Sequence, residues 1–247
     1  NGAVEFSQGS DGYYTQVISG AGTVTKSGAG EVTLTGANTY TGATTISAGT
    51  LVLNNAGGAA LADASAVTIM GQSALKVNAS ETIGALTAAG SNASITLNNN
   101  ATLTVNQTTN TSFAGSIVNG TSSTGAFTKT GDGALTLSGA NTYTGATTVS
   151  AGTLKTFGGA AIADASAVTV AENATLFLDN NDNETIGSLA GAGVVSLNGG
   201  VLTMGGNDDS TEFSGEIQDG GDIVKTGTGM LTLSGSNTYL GTTTVQG

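Results

Sequence analysis

The residues of this chain best equipped for chemistry are its acids. Asp179, Asp182 and Glu184 fall within six positions, separated only by asparagines, and Asp208 and Asp209 follow Asn207. Clustered carboxylate and amide oxygens are what calcium takes as ligands, which makes these five acids the candidate metal ligands; Asp219 and Asp222 form a third such turn. None of the runs has EF-hand spacing or the Gly-Gly-x-Gly-x-Asp nonapeptide, and spacing this irregular favours solvated turns over a cation site. Two carboxylates could also serve a glycosidase. Catalysis otherwise has little to draw on, because the chain has no His, Cys or Arg. That removes the Ser-His dyad, the thiol nucleophile and the guanidinium clamp. The sequence therefore reads as a non-enzyme, with no catalytic residue and no cofactor beyond the calcium candidate.

Two other residue sets invite a functional reading. Thr44-Thr45, Thr147-Thr148 and Thr242-Thr-Thr244 could form flat hydroxyl arrays of the kind ice-binding solenoids present. The pairs recur only once per long repeat, so exposed threonine on β-strands is the expectation. Tyr40, Tyr143 and Tyr239 each follow Asn-Thr. Their fixed place predicts packing over a coil edge with the hydroxyl at the surface.

What must position all of these is a repeat. Gly30 to Ile46, Gly133 to Val149 and Gly229 to Val245 are near copies, and the central Asn38, Asn141 and Asn237 lie 103 and 96 residues apart. Other parts of the block recur with them: Gly58–Ile69 as Gly159–Val170, Glu81–Leu86 as Glu184–Leu189, and Phe113–Ile117 as Phe213–Ile217. Thr25-Lys-Ser-Gly-Ala-Gly30 returns as Thr128-Lys-Thr-Gly-Asp-Gly133 and Val224-Lys-Thr-Gly-Thr-Gly229. Within a block, runs such as Val32-Thr-Leu34, Leu51-Val-Leu53 and Leu75-Lys-Val77 alternate with period two between Gly, Asn and Asp turns, the pattern of short half-buried strands. Val32 and Leu34 then point inward while Thr33 and Thr35 face water.

A sandwich or barrel would not account for duplication on this scale, whereas a solenoid stacks one coil on the next and needs no single compact core. The fold class expected is all-β: one elongated β-solenoid over 1–247, with repeat blocks at about 1–53, 54–156 and 157–247. Coils of about 20 residues would give about twelve turns and a rod about 60 Å long. The composition agrees, with 40 Gly, no Pro and few aromatics. Small and β-branched side chains fit a narrow interior, Asn at turns can ladder with Asn above, and Gly36, Gly139 and Gly235 are expected at positive φ. The net charge of −12 is uneven: residues 1–160 hold six acids and four Lys, residues 161–247 eleven acids and Lys225 alone. Such a field repels phosphate backbones and anionic membrane surfaces, so neither nucleic acid nor direct membrane insertion is expected. No apolar stretch approaches the length of a membrane helix.

At Gly-x-Leu-Thr-Leu-Ser-Gly-x-Asn-Thr-Tyr-Thr-Gly-x-Thr-Thr-Val-x-x-Gly-Thr-Leu, most complete from Gly133 to Leu154, the chain resembles the passenger-associated transport repeat of bacterial autotransporters. The third copy departs from the pattern with Leu240 in place of Thr. The resemblance implies a right-handed parallel β-helix carried to the surface of a Gram-negative cell by a membrane barrel elsewhere in the full-length protein. It implies an extracellular, adhesive or structural role, with a host or matrix surface, or further copies of the chain, as partner. Because both ends fall inside a block, an excised fragment or a subunit of an end-to-end filament is expected, and a carbohydrate-active β-helix enzyme is the remote alternative.

Overall fold

The structure, a computed structural model, describes residues 2–179 and 182–247. Among these residues there is no helix; twenty-nine short strands, every pairing parallel, wind as a solenoid of about 11 turns. At about 4.8 Å per turn the stack is about 50 Å long. Turn length varies, which accounts for the smaller number of coils than a uniform spacing predicts. Val67 pairs with Leu86, 19 residues on, while Leu103 pairs with Phe127, 24 residues on.

The strands line three faces. The first runs from Val4–Phe6 through Val24–Lys26, Thr44–Ile46 and Val67–Met70 to Leu86–Ala89, which lies against Thr111–Phe113 and continues as a six-stranded run ending at Glu216–Gln218. The second runs from Gly12–Tyr14 to Ser116–Asn119, passes through irregular chain at 141–143 and 160–162, and resumes as Asn183–Ile186, Val201–Met204, Asp222–Lys225 and Thr243–Val245. The third begins as irregular chain at 38–41 and 59–62 and becomes an eight-stranded sheet from Glu81–Ile83 to Leu231–Leu233. Each face therefore has one stretch of loop that contains a copy of the Asn-Thr-Tyr motif: at the start of the third face (38–40), within the second (141–143), and above Glu216–Gln218 at the end of the first (237–239).

The copies do not stack on one another. The Lys-bearing strand sits on the first face at Val24–Lys26, on the third at Ala126–Thr130 and on the second at Asp222–Lys225. One block thus takes four turns and two further faces, so successive copies look out in three directions around the axis.

The interior is one continuous apolar column, since inward positions of each strand meet those of the strands above and below. It holds larger groups than a narrow coil suggests: Tyr40, Tyr143, Phe113, Phe127 and Phe213 are fully buried. Val32 and Leu34 point inward as the alternation requires. Thr33, expected to face water, is also buried; it is in register with Val52 and Lys76, and the Lys76 stem reaches along them to an ion pair with Glu31 at 2.7 Å. Gly36, Gly139 and Gly235 do not adopt positive φ. They are needed for close approach: a Cβ at Gly139 would stand 1.9 Å from the Gly115 carbonyl oxygen of the turn beneath, and one at Gly235 1.8 Å from that of Gly215.

Candidate functional site

The densest chemistry in the molecule is buried, and it is built twice. Asn38 occupies an irregular turn in which the backbone ladder is incomplete: the Asn38 and Thr39 amides reach the Ala59 and Ile18 carbonyls, and the Asn38 side chain satisfies groups that the ladder leaves over. The Ile18 amide of the turn beneath donates to Asn38 Oδ1 at 2.7 Å, and Asn38 Nδ2 donates to the Ala60 carbonyl of the turn above at 2.6 Å. One turn higher again, Glu81 accepts from the Ala60 and Leu61 amides, one on each carboxylate oxygen, both at 3.0 Å. Four consecutive turns are stapled through one column of polar groups. The second copy repeats it: the Ile117 amide donates to Asn141 Oδ1 at 2.6 Å, Asn141 Nδ2 to the Ala161 carbonyl at 2.5 Å, and the Ala161 and Ile162 amides to Glu184 at 3.2 and 2.9 Å.

Beside each staple runs a row of hydroxyls. Ser65 Oγ donates to the Gly42 carbonyl, which leaves its lone pairs for Thr44, so Thr44 donates to Ser65 and Tyr40 donates to Thr44 at 2.5 Å. Tyr143, Thr147, Ser166 and the Gly145 carbonyl form the same row. Tyr40 and Tyr143 are therefore interior groups with bonded hydroxyls, where a surface hydroxyl was expected, and Thr44 and Thr147 are buried where exposed threonine was expected. Burial raises both phenols above the usual tyrosine range. In the third copy Tyr239 keeps its bond to Thr243 at 2.5 Å, and Asn237 Oδ1 still accepts from Ile217 at 2.9 Å.

The repeated lysines are the third element. Lys26, Lys129 and Lys225 take inward positions, in register with Phe6 and Ile46, with Val105 and Val149, and with Met204 and Val245. Each threads its ammonium into the Gly-rich turn that follows and donates to backbone carbonyls. Lys129 reaches those of Thr130, Gly131 and Ala151 at 2.8, 2.7 and 3.0 Å, using all three of its donors. Desolvation pulls the Lys129 pKa down to about 8 and lowers that of Lys26.

The family model described as Passenger-associated-transport-repeat matches residues 24–53, 127–155 and 223–247. These three segments are similar to passenger-associated-transport repeats. Each matched segment supplies the inward Lys and the Tyr–Thr hydroxyl pair, and the first two also supply the bridging Asn, while the Glu that closes their staples comes from the turns that follow. Among curated proteins, the chain is similar to the Adhesin BmaC autotransporter of Brucella suis biovar 1 (strain 1330), with 38% identity over 146 residues. That alignment covers 56% of this chain and 4% of the relative, so the chain spans a small fraction of the relative's length. No solved structure matches it.

The acids singled out from spacing have two fates. Asp208 and Asp209 are exposed; Asp208 accepts from the amide and hydroxyl of Thr228 one turn on, and those bonds hold its carboxyl below the usual range. Asp222 does the same for Thr242. Asp179 ends the strand run before residues 180 and 181, which lie outside the described residues together with that part of the candidate calcium turn. Asp182 and Glu184 are interior, contrary to the solvated turn expected for them, and their oxygens face backbone amides. Among the described residues no three acids come together as a metal cluster.

Sequence reasoning missed Glu81, although its return at Glu184 was visible, because a carboxylate in a Thr-rich run reads as surface. It also missed the threonine rows. Thr82, Thr104, Thr128, Thr148 and Thr169 stack in register on the third face, and Thr25, Thr45, Thr68 and Thr87 on the first. The pairs near each repeat hid this, since turn length decides which distant threonines meet. Expected Asn ladders are represented by Asn98 Nδ2 donating to Asn78 Oδ1 at 2.7 Å.

Proposed function

We propose that this chain is a stiff, surface-displayed segment of an autotransporter adhesin passenger, in which the transport repeats lock the stack and the outer faces are available for contact. The observation that carries the reading is the four-turn staple: side-chain bonds that link each of four successive coils to the next make those turns order together, which is what a spacer under load and a chain folding after export both need. The name of the similar adhesin supports the adhesive part. The chemistry is consistent with a non-catalytic role, because the buried acids face amides and two depressions at the surface, of about 380 and 300 Å³, are lined mainly by Ala, Asn, Ser and Thr. In this reading the segment is extracellular on a Gram-negative cell, a membrane barrel lies elsewhere in the full protein, and cell attachment, aggregation or biofilm formation is the outcome.

The test is replacement, in the full-length passenger, of this segment by a Gly/Ser linker with the same number of residues. Surface delivery and attachment to cells or matrix would be scored side by side. Loss of attachment with delivery intact supports a stiff adhesive spacer; unchanged attachment overturns it.

A further inference from the structure

The two staples differ at one position. Two residues before Glu81 stands Ala79; two residues before Glu184 stands Asp182. Asp182 is 6% exposed, and its Oδ1 accepts from the Gly158 and Gly159 amides at 2.9 and 2.6 Å. Its Oδ2 is buried with no hydrogen-bond partner. Glu184, whose own two oxygens already hold the Ala161 and Ile162 amides, lies within hydrogen-bonding reach of Asp182. Two ionised carboxylates cannot sit side by side away from water, and a buried acceptor is not left empty beside another acceptor. One proton removes both problems, because it turns an oxygen of the pair into a donor to its neighbour.

We propose that Asp182 and Glu184 share a single proton, and that this protonated pair is a pH-sensitive latch on the 158–162 loop of the second block. The groups around it leave the pair to its own charge. The neutral Tyr143 lies two turns beneath Glu184, Asp164 further along the 158–162 loop's chain is exposed, and Val201–Met204 above carries no ionisable side chain. A metal cation would be the other way to neutralise the pair, but the four amide hydrogens aimed at it repel a cation as they welcome an anion. Burial and the neighbouring acid push Glu184 up to about 8, and Glu81, without that neighbour, to about 7.

The experiment is amide hydrogen exchange on the whole chain from pH 5 to 9, corrected for intrinsic rates, with the Glu81 loop as internal control. Protection of Gly158–Ile162 is expected to fall about tenfold or more as the proton leaves near pH 8, while the 58–61 loop responds at lower pH. In Asp182→Asn the amide can donate to Glu184 at every pH, and the step at high pH should disappear. Equal protection of Gly158–Ile162 at pH 5 and 9 in the unmodified chain overturns the latch, whatever the variant does. So does a step that survives Asp182→Asn, or restoration of protection at pH 9 by millimolar calcium, which would make the pair a cation site.

Discussion

The first and second staples share every bond from the lower Ile amide to the upper Glu, yet they hold their glycines differently. In the first, Asn55 of the same turn accepts from Gly57 with its side chain and from Gly58 with its carbonyl. In the second, Asp182 reaches down from the turn above to take both glycine amides. The comparison separates what the repeat fixes from what it leaves free. The Asn bridge and hydroxyl row are copied, whereas the means of closing the loop differs: a local polar turn in the first block, and in the second a carboxylate that brings another ionisable group into the interior.

The largest expected effects test the shared part. Asn38→Ala and Asn141→Ala each strand a buried amide and a buried carbonyl, so each should lower unfolding free energy by about 2–5 kcal/mol, and by similar amounts in the two blocks. Chemical denaturation checks this, and a difference between them above about 2 kcal/mol would break the equivalence. Gly139→Ala should be comparably damaging, about 2 kcal/mol or more, because its Cβ would collide with a backbone oxygen and no side chain can yield.

Next comes pH, where the staples should part. Folded-state values of about 7 and about 8 for Glu81 and Glu184 lie above the ordinary 4.5. The folded chain therefore binds more protons than the unfolded one between about pH 4.5 and 8, and its stability falls as pH rises through that window. Thermal melts at stepped pH should show the midpoint dropping from pH 5 to 8, and Asp182→Ala should move the upper part of the drop downward. A midpoint that rises over this range would contradict the burial of these acids.

The smaller effects sharpen the picture. Tyr40→Phe and Tyr143→Phe each remove one donor at the head of a hydroxyl row, a loss of about 0.5–1.5 kcal/mol that should match between blocks. Lys76→Ala breaks an exposed ion pair and should change stability by no more than about 1 kcal/mol, with the effect shrinking in high salt.

The sequence was sufficient for the fold because a solenoid is written in two signals it cannot hide: block duplication and period-two alternation between Gly and Asn turns. Val32, Leu34 and their counterparts pointed inward for the reason the pattern gives. The interior polar groups were not legible. Tyr143 and Glu184 look amphipathic or charged, and their burial depends on amides offered by turns about 20 residues away, a distance set by loop lengths that no local pattern states. The glycine at 139 was recognised as necessary for the wrong reason: a conformational demand shows in local sequence, but contact with the coil beneath does not. The candidate calcium run had real clustering behind it, and what spacing did not reveal was that Asp182 and Glu184 lie over a loop whose amides donate to them.

Since a block advances by four turns and two faces, three blocks restore the starting direction after fourteen turns, about 67 Å of rise at the strand spacing. A longer array built to this rule would behave as a threefold screw with no preferred flank. Whichever side of such a shaft came to rest on a neighbouring surface, an equivalent loop would meet it within one screw period.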